Sequence, residues 1–500
     1  MWRQVYDRWS MRPFPSLYQI NTRVLLADIA RQQARPATLD DIPGDELDRI
    51  AAAGFDWVWF LGIWDNGTAS RDIARSLPGL RPEFQAALPD FSENDVCGSC
   101  FAIRSYAVHA DFGGNAALAR LRQRLHDRGL RLLLDFVPNH TARDHPWVEQ
   151  HPGYYVHGTA GQLASEPRNY ARVDSPAGPL VLAFGRDPYF PGWSDTLQLN
   201  YANPALQEAM VSELETVAAM CDGVRCDMAM LILPEIFERT WGLRPAPFWP
   251  SAIARVRALN PGFLFLAEVY WDLEWSLQQQ GFDFTYDKRL YDRLRGGKPS
   301  PVYDHFRAAL DFQHRCARFL ENHDEPRAAS VFPPGMHQAA AVLTFLSPGM
   351  RFFHRGQLEG SIKKVPVQLC RGPVEQPDRE LCEFYTTLLA ALRHPAAQGR
   401  WQLLDCVPAW YGNWTWTSLI AFAWQGPGRA MLLTVVNYSP ARAQCYVPLR
   451  FDELAGQDVR LQDLLGPFVY HRHGDALGAR GLYLDLPPWG YHVFEVSGTP

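Results

Sequence analysis

The feature of this sequence that most limits its fold is a repeated alternation of amphipathic helices and densely apolar strands. In residues 116–128 the leucines recur at helical spacing, Gly129 ends the pattern, and the apolar run LRLLLDFV follows at 130–137. The same order recurs three times, with helices predicted at 205–220, 251–259 and 336–346 and strands at 222–228, 263–269 and 350–354. Near-continuous apolar strands that alternate with helices indicate a parallel sheet covered by helices.

Four further apolar runs bring the number of predicted strands to about eight. They lie at 16–26, 55–64, 282–286 and 316–322. Eight strand–helix units in one chain predict an α/β fold, specifically a (β/α)8 TIM barrel.

Two segments depart from this rhythm. Residues 138–198 are rich in Pro, Gly, His and aromatic residues and are predicted as a small loop-rich insertion after strand 3, subdomain B. Residues 398–500 contain short β-branched and aromatic runs separated by turn residues, which predicts a C-terminal antiparallel β domain of the β-sandwich type. The catalytic barrel would then comprise residues 1–137 and 199–397. A chain of 500 residues is long enough for such a division.

Charge and composition argue against several classes of protein. The net charge of −6 and the pI near 6.2 offer no basic surface for nucleic acid or an anionic membrane. No run approaches the ~20 apolar residues of a membrane span. The N-terminal residues MWRQVYDRWSMRPF lack the apolar core of a secretory signal, and the nine cysteines form no dense framework. We therefore expect a cytoplasmic protein without nucleic-acid or membrane partners, whose oligomeric state is unknown.

The aromatic content points to a class of ligand. Aromatic residues make up 13% of the chain and include 17 tryptophans. Much of this must be core, but proteins that bind sugars also use aromatic rings as platforms for the apolar faces of pyranose rings.

Carboxylate-bearing motifs follow four of the predicted strands. They are DFVPNH (135–140), GVRCD (223–227), AEV (267–269) and ENHD (321–324). In a βα barrel these strand ends converge on one face, where active sites lie. A structural ion-pair network around the arginine is the alternative, but crowded carboxylates at four strand ends favour catalysis. Retaining glycoside hydrolysis needs such groups, because it uses one carboxylate as nucleophile and one carboxylic acid about 5–5.5 Å away.

These four ordered motifs resemble those of glycoside hydrolase family 13, the α-amylase family. The earlier segment SYAVHADFGG (105–114) is similar to the family's segment after strand 2. The insertion and the C-terminal β domain are also typical of the family, so the resemblance covers nearly the whole chain.

The resemblance implies catalytic roles for three residues. Asp227 would be the nucleophile, Glu268 the general acid/base and Asp324 the third carboxylate. Asp135 would support the arginine structurally.

Five further residues would contact the substrate or position the catalytic groups. Arg225 would orient and ionise Asp227. His140 and His323 would hydrogen-bond the sugar in the cleaved subsite, and Tyr106 would be the aromatic platform under that sugar. Arg327, in a run that looks like the oligosaccharide-acting α-glucosidase branch, would face the substrate.

One departure from the family pattern concerns calcium. Many α-amylases carry Lys-His three and four positions after the nucleophile, for the next sugar and for calcium. Here those positions hold Met230 and Leu231, and only Asn139 matches a calcium ligand. We expect no cofactor and no metal, with calcium as the alternative.

Three functions are compatible with the motifs. The first is an exo-acting retaining hydrolase on α-glucosidic bonds of oligosaccharides or α-glucans. The second is a transglycosylase or isomerase, of the trehalose synthase or maltosyl-transferring kind, which would use the same catalytic residues. The third is a non-catalytic binding subunit, for which loss of a catalytic carboxylate would be the expected signature; all three are present.

Cys97 and Cys100 have the C-x-x-C spacing of redox and zinc sites. No second such pair follows, and no helix starts at the first cysteine. A loop pair that oxidises incidentally is the favoured interpretation.

Overall fold

The structure, a computed structural model, describes residues 12–174 and 178–499. Residues 1–11, on which the absence of a signal sequence was judged, lie outside the described residues.

Eight parallel strands close into a barrel in which each strand pairs with the next and the eighth pairs with the first. This confirms the predicted (β/α)8 TIM barrel. The strands are β1 Ser16–Asn21, β2 Trp57–Leu61, β3 Arg131–Phe136, β4 Gly223–Cys226, β5 Leu264–Ala267, β6 Phe284–Tyr286, β7 Cys316–Arg318 and β8 Met350–His354.

The first predicted strand, 16–26, is wrong in its second half. Strand β1 ends at Asn21, and Thr22–Gln33 is a helix. The side-chain Oδ1 of Asn21 accepts a hydrogen bond from the backbone N–H of Val24, which satisfies a free donor at the helix start. The apolar residues after Asn21 therefore face the core from a helix.

Helices separate the strands and cover the barrel. The four helices predicted at 116–128, 205–220, 251–259 and 336–346 are all present, with ends shifted by at most two residues. In the described residues no helix is both long enough and apolar enough to cross a membrane. The α-helices are Thr22–Gln33, Gly44–Ala53, Ala69–Ser76, Arg81–Ala87, Gly114–His126, Trp147–Gln150, Ala160–Ser165, Pro204–Met220, Pro234–Trp241, Trp249–Leu259, Glu274–Gln279, Lys288–Arg295, Pro299–Phe306, Leu310–Gln313, Ala328–Val331, Met336–Phe345, Arg379–Leu392 and Gly474–Ala479.

The segment between β3 and β4 leaves the barrel and returns to it through one short antiparallel ribbon. His140–Ala142 pairs with Thr196–Gln198 directly above the barrel. A second hairpin, Tyr170–Val173 with Leu180–Ala183, lies farther along the segment. The ribbon places His140 at the base of the insertion, next to the barrel mouth.

The C-terminal region consists of two antiparallel sheets, as the sequence predicted for its strands. Apolar side chains from both sheets form one core, and the opposite face of the larger sheet packs on the barrel helices. The six-stranded sheet contains Arg400–Leu404, Leu419–Gln425, Met431–Asn437, Tyr491–Thr499, Asp458–Asp463 and Val469–His473, and the three-stranded sheet contains Val407–Pro408, Ala443–Val447 and Leu482–Leu486.

Strand Leu419–Gln425 shows why its sequence is apolar throughout. Leu419, Ala421 and Ala423 face the core between the two sheets, whereas Ile420, Phe422 and Trp424 face the barrel. Both faces of this strand are buried, so alternation with polar residues is absent.

Candidate active site

Arg225 lies at the centre of the predicted carboxylate cluster. It has no exposed surface, and its Nη1 donates a 2.6 Å hydrogen bond to Asp227 Oδ1. Its Nη2 lies 2.8 Å from Glu268 Oε2 and 4.0 Å from Asp324 Oδ2. Three motifs from three different strands therefore meet around one guanidinium group.

The barrel geometry explains this meeting. In β4 the side chains alternate, so Arg225 and Asp227, two residues apart, point to the same side. The backbone N–H of Asp227 donates to Phe136 O of β3, and that of Glu268 donates to Cys226 O of β4. These bonds extend the strand pairing by one residue and fix both carboxylates at the carboxyl ends of their strands.

Both carboxylate oxygens of Glu268 have hydrogen-bond donors. The backbone N–H of Met228 donates to Oε2 at 2.7 Å, and Tyr270 Oη donates to Oε1 at 2.9 Å. Met228 adopts a left-handed conformation with φ of 42°, which is uncommon for a non-glycine residue. Such backbone strain is concentrated at functional sites, and here it turns an N–H group towards Glu268.

The surroundings move the pKa values of the three carboxyl groups in different ways. Burial raises the pKa of Glu268 to about 7, because Asp227 and Asp324 add to burial and outweigh Arg225. Burial also raises the pKa of Asp227, against the attraction of Arg225. Burial acts in the same direction on Asp324, but the neighbouring His323 and Arg225 lower its pKa overall. Neutral pH therefore suits Glu268 as a proton donor beside an ionised Asp324.

His323 connects the cluster to β1. Its Nδ1 is 2.7 Å from Gln19 Nε2, and its Nε2 is 3.0 Å from Asp324 Oδ2. Asp324 has a side chain that is 41% exposed, whereas Asp227 and Glu268 are almost fully buried. Asp324 is thus the carboxylate of this group that a ligand arriving from solvent meets first.

His140 lies one contact away from the cluster. Burial lowers its pKa to about 4, so the imidazole is neutral at neutral pH. Its ring is 5.2 Å from the ring of Trp193, a residue of the insertion, and its side chain also contacts the backbone of Phe101. A neutral imidazole here is suited to hydrogen bonding with a hydroxyl group.

Tyr106 lies against the end of β3. Its ring stacks on Phe136 and meets the edge of Trp64. Its Oη donates to Val137 O at 3.2 Å and accepts from Val137 N at 2.9 Å. These contacts brace the end of β3 and use the donor and one acceptor position of the hydroxyl. The role of Tyr106 as a platform for the sugar stays a prediction.

Phe101 is one of the aromatic residues at the cluster, and the sequence analysis did not single it out. Its centroid lies 5.3 Å from the ring of His323 and 5.1 Å from Cζ of Arg225. Phe101 stands five residues before Tyr106 in the same loop. The motif match favoured the tyrosine because that residue aligns with the family segment, and a loop without periodicity gave no sign of where the phenylalanine points.

Arg327 joins the loops that follow β7 and β8. Its Nη1 forms a 2.7 Å ion pair with Glu321, and its Nη2 donates to Arg355 O at 2.9 Å. The side chain is 6% exposed and lines a cavity together with His323. Asp135 is held by Trp59 Nε1 and the backbone N–H of Gly62, which fits the structural role expected for it.

The side chain of Asn139 is held by Gln198. Its Oδ1 and its backbone carbonyl both accept hydrogen bonds from Gln198 Nε2, and its Nδ2 donates to Gln198 Oε1. Among residues 12–174 and 178–499, no three His, Cys, Asp or Glu side chains group as ligands for a metal ion. Cys97 and Cys100 are both free thiols, and the Cys97 thiol accepts a hydrogen bond from Arg23.

The chain is similar to α-amylases and to related transferases. The sequence-family model for the α-amylase catalytic domain matches residues 46–241 of the chain. The chain is 24% identical over 367 residues to the α-amylase MalA of Haloarcula japonica, which covers 71% of this chain and 45% of that protein. It is 29% identical over 314 residues to an α-1,4-glucan:maltose-1-phosphate maltosyltransferase of Burkholderia pseudomallei, which covers 59% of this chain and 23% of that enzyme. The chain thus spans less than half the length of these two relatives.

A solved structure shares the fold over nearly the whole chain. The maltogenic α-amylase AmyB of Thermotoga neapolitana superposes with a TM-score of 0.68 at 17% identity, covering 97% of this chain and 99% of that one.

Proposed function

Since the chain belongs to the α-amylase family, glycoside hydrolase family 13, we propose that it is a retaining α-glycosidase. It would cleave α-glucosidic bonds in oligosaccharides or α-glucans. The observation that carries the proposal is the contact of one buried guanidinium, Arg225, with both Asp227 and Glu268, beside Asp324.

In the first step Asp227 attacks the anomeric carbon of the bound sugar. Glu268 donates its proton to the glycosidic oxygen, the bond from that oxygen to the anomeric carbon breaks, and the leaving sugar departs with the proton. A glycosyl ester of Asp227 remains. In the second step a water molecule gives its proton to Glu268 and attacks the anomeric carbon, which releases Asp227 and restores the original anomeric configuration.

The surrounding residues support these steps. Arg225 opposes the effect of burial on Asp227 and so favours the ionised nucleophile. Asp324 and His323 hold hydroxyl groups of the reacting sugar, and His140 contacts it from the insertion side. Tyr106 stays the proposed platform for the apolar face of that sugar, and Phe101, beside Arg225 and His323, is a second candidate.

A transglycosylase or isomerase is the second candidate. It would differ only in the second step, where a sugar hydroxyl instead of water gives its proton to Glu268. The name of the Burkholderia relative, a maltosyltransferase, favours keeping this candidate. We also propose a cytoplasmic location, supported by nine free cysteines in the described residues, and no cofactor.

Proton NMR of a small substrate panel tests the proposal. Maltose, maltotriose, isomaltose, sucrose, trehalose and soluble starch are each incubated with the wild type and with Asp227→Asn. We expect the wild type to release the α-anomer first from at least one of them and the variant to release none. New glycosidic linkages without an increase in the number of reducing ends would instead establish the transglycosylase. Release of the β-anomer would contradict a retaining mechanism.

A further inference from the structure

A cavity of about 370 Å3 begins beside the candidate catalytic centre, at Asn322 and His323, and extends along helices Thr22–Gln33 and Gly44–Ala53. Asn322 and His323, which follow β7, form part of its lining, and the loop at 355–377 after β8 forms another part. We refer to it as the β7–β8 cavity. Apart from His323, the catalytic steps described above use none of its residues.

The lining of this cavity is rich in cations. Four carboxylates also line it, but three of them are engaged: Asp28 by Arg31 and Arg355, Glu46 by Arg49, and Glu375 by backbone N–H groups of the β8 loop. The cationic side chains are Arg31, Arg49, Arg327, Arg355, Lys363 and Lys364.

Two of these cations are unusual for this chain. The sequence contains only four lysines, and Lys363 and Lys364 are adjacent in the β8 loop. Lys288 pairs with two carboxylates, whereas Lys364 donates to the backbone carbonyl of Asp324. Within the part of the chain that the structure describes, neither Lys363 nor Lys364 forms an ion pair with a carboxylate. Their charges are therefore available to an anion.

Buried polar atoms without partners line the same cavity. Arg327 is 6% exposed, and its Nε has no hydrogen-bond partner, nor do the buried His354 Nδ1 and Glu359 Oε2. A buried polar group without a partner is costly, so such atoms indicate a missing ligand or water. Together they offer a donor for an anion and further groups for hydroxyls.

The position of the cavity is one where barrel enzymes hold phosphate. In (β/α)8 enzymes a phosphate group is frequently bound by the loops after strands 7 and 8. Lysine is a common phosphate ligand, and arginine N–H groups bind phosphate with charge-assisted hydrogen bonds. Inorganic phosphate alone would face the free carboxylate oxygen of Glu359. A sugar that carries a phosphate group would supply hydroxyl donors to Glu359 as well.

We propose that the β7–β8 cavity binds a phosphorylated sugar, with Lys363, Lys364 and Arg327 Nε facing the phosphate and Glu359 and His354 bonding to hydroxyls. The inference rests on the proposed function, because the sugar phosphate is then part of the α-glucoside that Asp227 and Glu268 cleave. It adds phosphorylated α-glucosides to the substrates and predicts that they bind more tightly than the neutral glucosides of the panel, which the same site also cleaves.

Isothermal titration calorimetry at low ionic strength tests this inference without turnover. The probes are glucose 6-phosphate, glucose 1-phosphate, glucose and inorganic phosphate. We expect one of the two sugar phosphates to bind the wild type at least tenfold more tightly than glucose or inorganic phosphate. The variants Lys363→Met and Lys364→Met, singly and together, should weaken that binding, by at least tenfold in the double variant, and added salt should weaken it in the wild type.

Lys298→Met is the matched control, since Lys298 lies outside this cavity at the start of helix Pro299–Phe306. It should bind the sugar phosphate as the wild type does. Equal binding of sugar phosphate by the wild type and the double variant would overturn the inference, and so would inorganic phosphate that binds as tightly as either sugar phosphate. A protein that cleaves neutral glucosides but binds neither sugar phosphate contradicts this inference alone. A protein that binds sugar phosphate but cleaves no glucoside contradicts the proposed function alone.

Discussion

Glu268 illustrates how neighbouring residues set the chemistry of a single side chain. Burial disfavours its charge, and the nearby Asp227 and Asp324 disfavour it further. The Arg225 guanidinium and the N–H of Met228 act in the opposite direction without cancelling this effect. The result is a carboxyl group whose pKa is about 7, which is the property required of a proton donor at neutral pH.

We expect Glu268→Gln to lower kcat/KM on a disaccharide by at least about 10²-fold, because glutamine keeps the shape but has no proton to donate. The fluoride of α-glucosyl fluoride leaves with little help from an acid. The decrease in kcat/KM that Glu268→Gln causes on this substrate should therefore be much smaller. In the wild type kcat/KM should fall as the pH rises through about 7, since the protonated form of Glu268 is lost there. Steady-state kinetics on both substrates between pH 5 and 9 measures these effects.

Glu274→Gln is the control for this experiment. Glu274 is also buried, and burial raises its pKa to about 7, but it begins a helix outside the cluster. This variant should keep the wild-type pH profile. Equal losses on the disaccharide and the fluoride in Glu268→Gln would rule out an acid role for Glu268.

At the scale of elements, Asp222 connects a helix to two strands. It lies directly before β4, is 5% exposed, and accepts hydrogen bonds from Leu132 N of β3 and from two nitrogens of Arg122. His126 Nε2 lies 2.8 Å from Oδ2, the second carboxylate oxygen of Asp222. Burial alone would raise the pKa of Asp222, but these donors lower it overall. The carboxylate therefore stabilises the packing of helix Gly114–His126 on the sheet only while it is ionised.

We expect Asp222→Ala to lower the free energy of unfolding by about 3 kcal/mol at pH 7, because the buried N–H of Leu132 and the partly exposed Arg122 lose their partner. Since the folded-state pKa is lowered, this stabilisation is present above the ordinary pKa of aspartate and is lost as the pH falls through the folded value. The difference between variant and wild type should thus narrow below about pH 4. Urea unfolding followed by tryptophan fluorescence measures it.

Asp127→Ala is the matched control, since Asp127 is exposed at the end of the same helix. It should change the stability little at either pH. A similar loss in both variants would mean that Asp222 contributes only through helix-end electrostatics.

The elements differ in how far the sequence predicts them. All eight barrel strands were predictable, because each is an apolar run buried on both faces. The end of β1 was not, since the apolar run continues past Asn21 and only the side-chain cap distinguishes helix from strand there. The meeting of Asp227, Glu268 and Asp324 around Arg225 was predictable, because all three residues follow strand ends. Phe101 was not, because its position depends on contacts with Arg225 and His323, which are distant in sequence.

At the scale of the whole molecule, the barrel and the C-terminal sheets share a buried interface. Trp424 has no exposed surface, and its Nε1 donates a 2.6 Å hydrogen bond to Leu346 O at the end of helix Met336–Phe345. Tyr438 Oη likewise donates to Leu294 O of another barrel helix. The core of the barrel therefore continues into the larger C-terminal sheet.

We expect one cooperative thermal transition for the wild type. Trp424→Ala should lower the free energy of unfolding by about 3–5 kcal/mol, because removal of a large buried side chain leaves a cavity. Trp414→Ala is the control, since Trp414 is 73% exposed, and it should unfold at the wild-type temperature. Differential scanning calorimetry measures both. Two separate transitions in the wild type would show that the two regions unfold independently.

The ribbon of His140–Ala142 and Thr196–Gln198 joins the two ends of the insertion to each other. Its two ends are tied to each other above the barrel, so a change in the length of the intervening chain is absorbed locally. The entropic penalty for a longer loop grows only slowly with its length. We therefore expect that a different segment grafted between these two strands would leave the three carboxylates and Arg225 in place on the barrel.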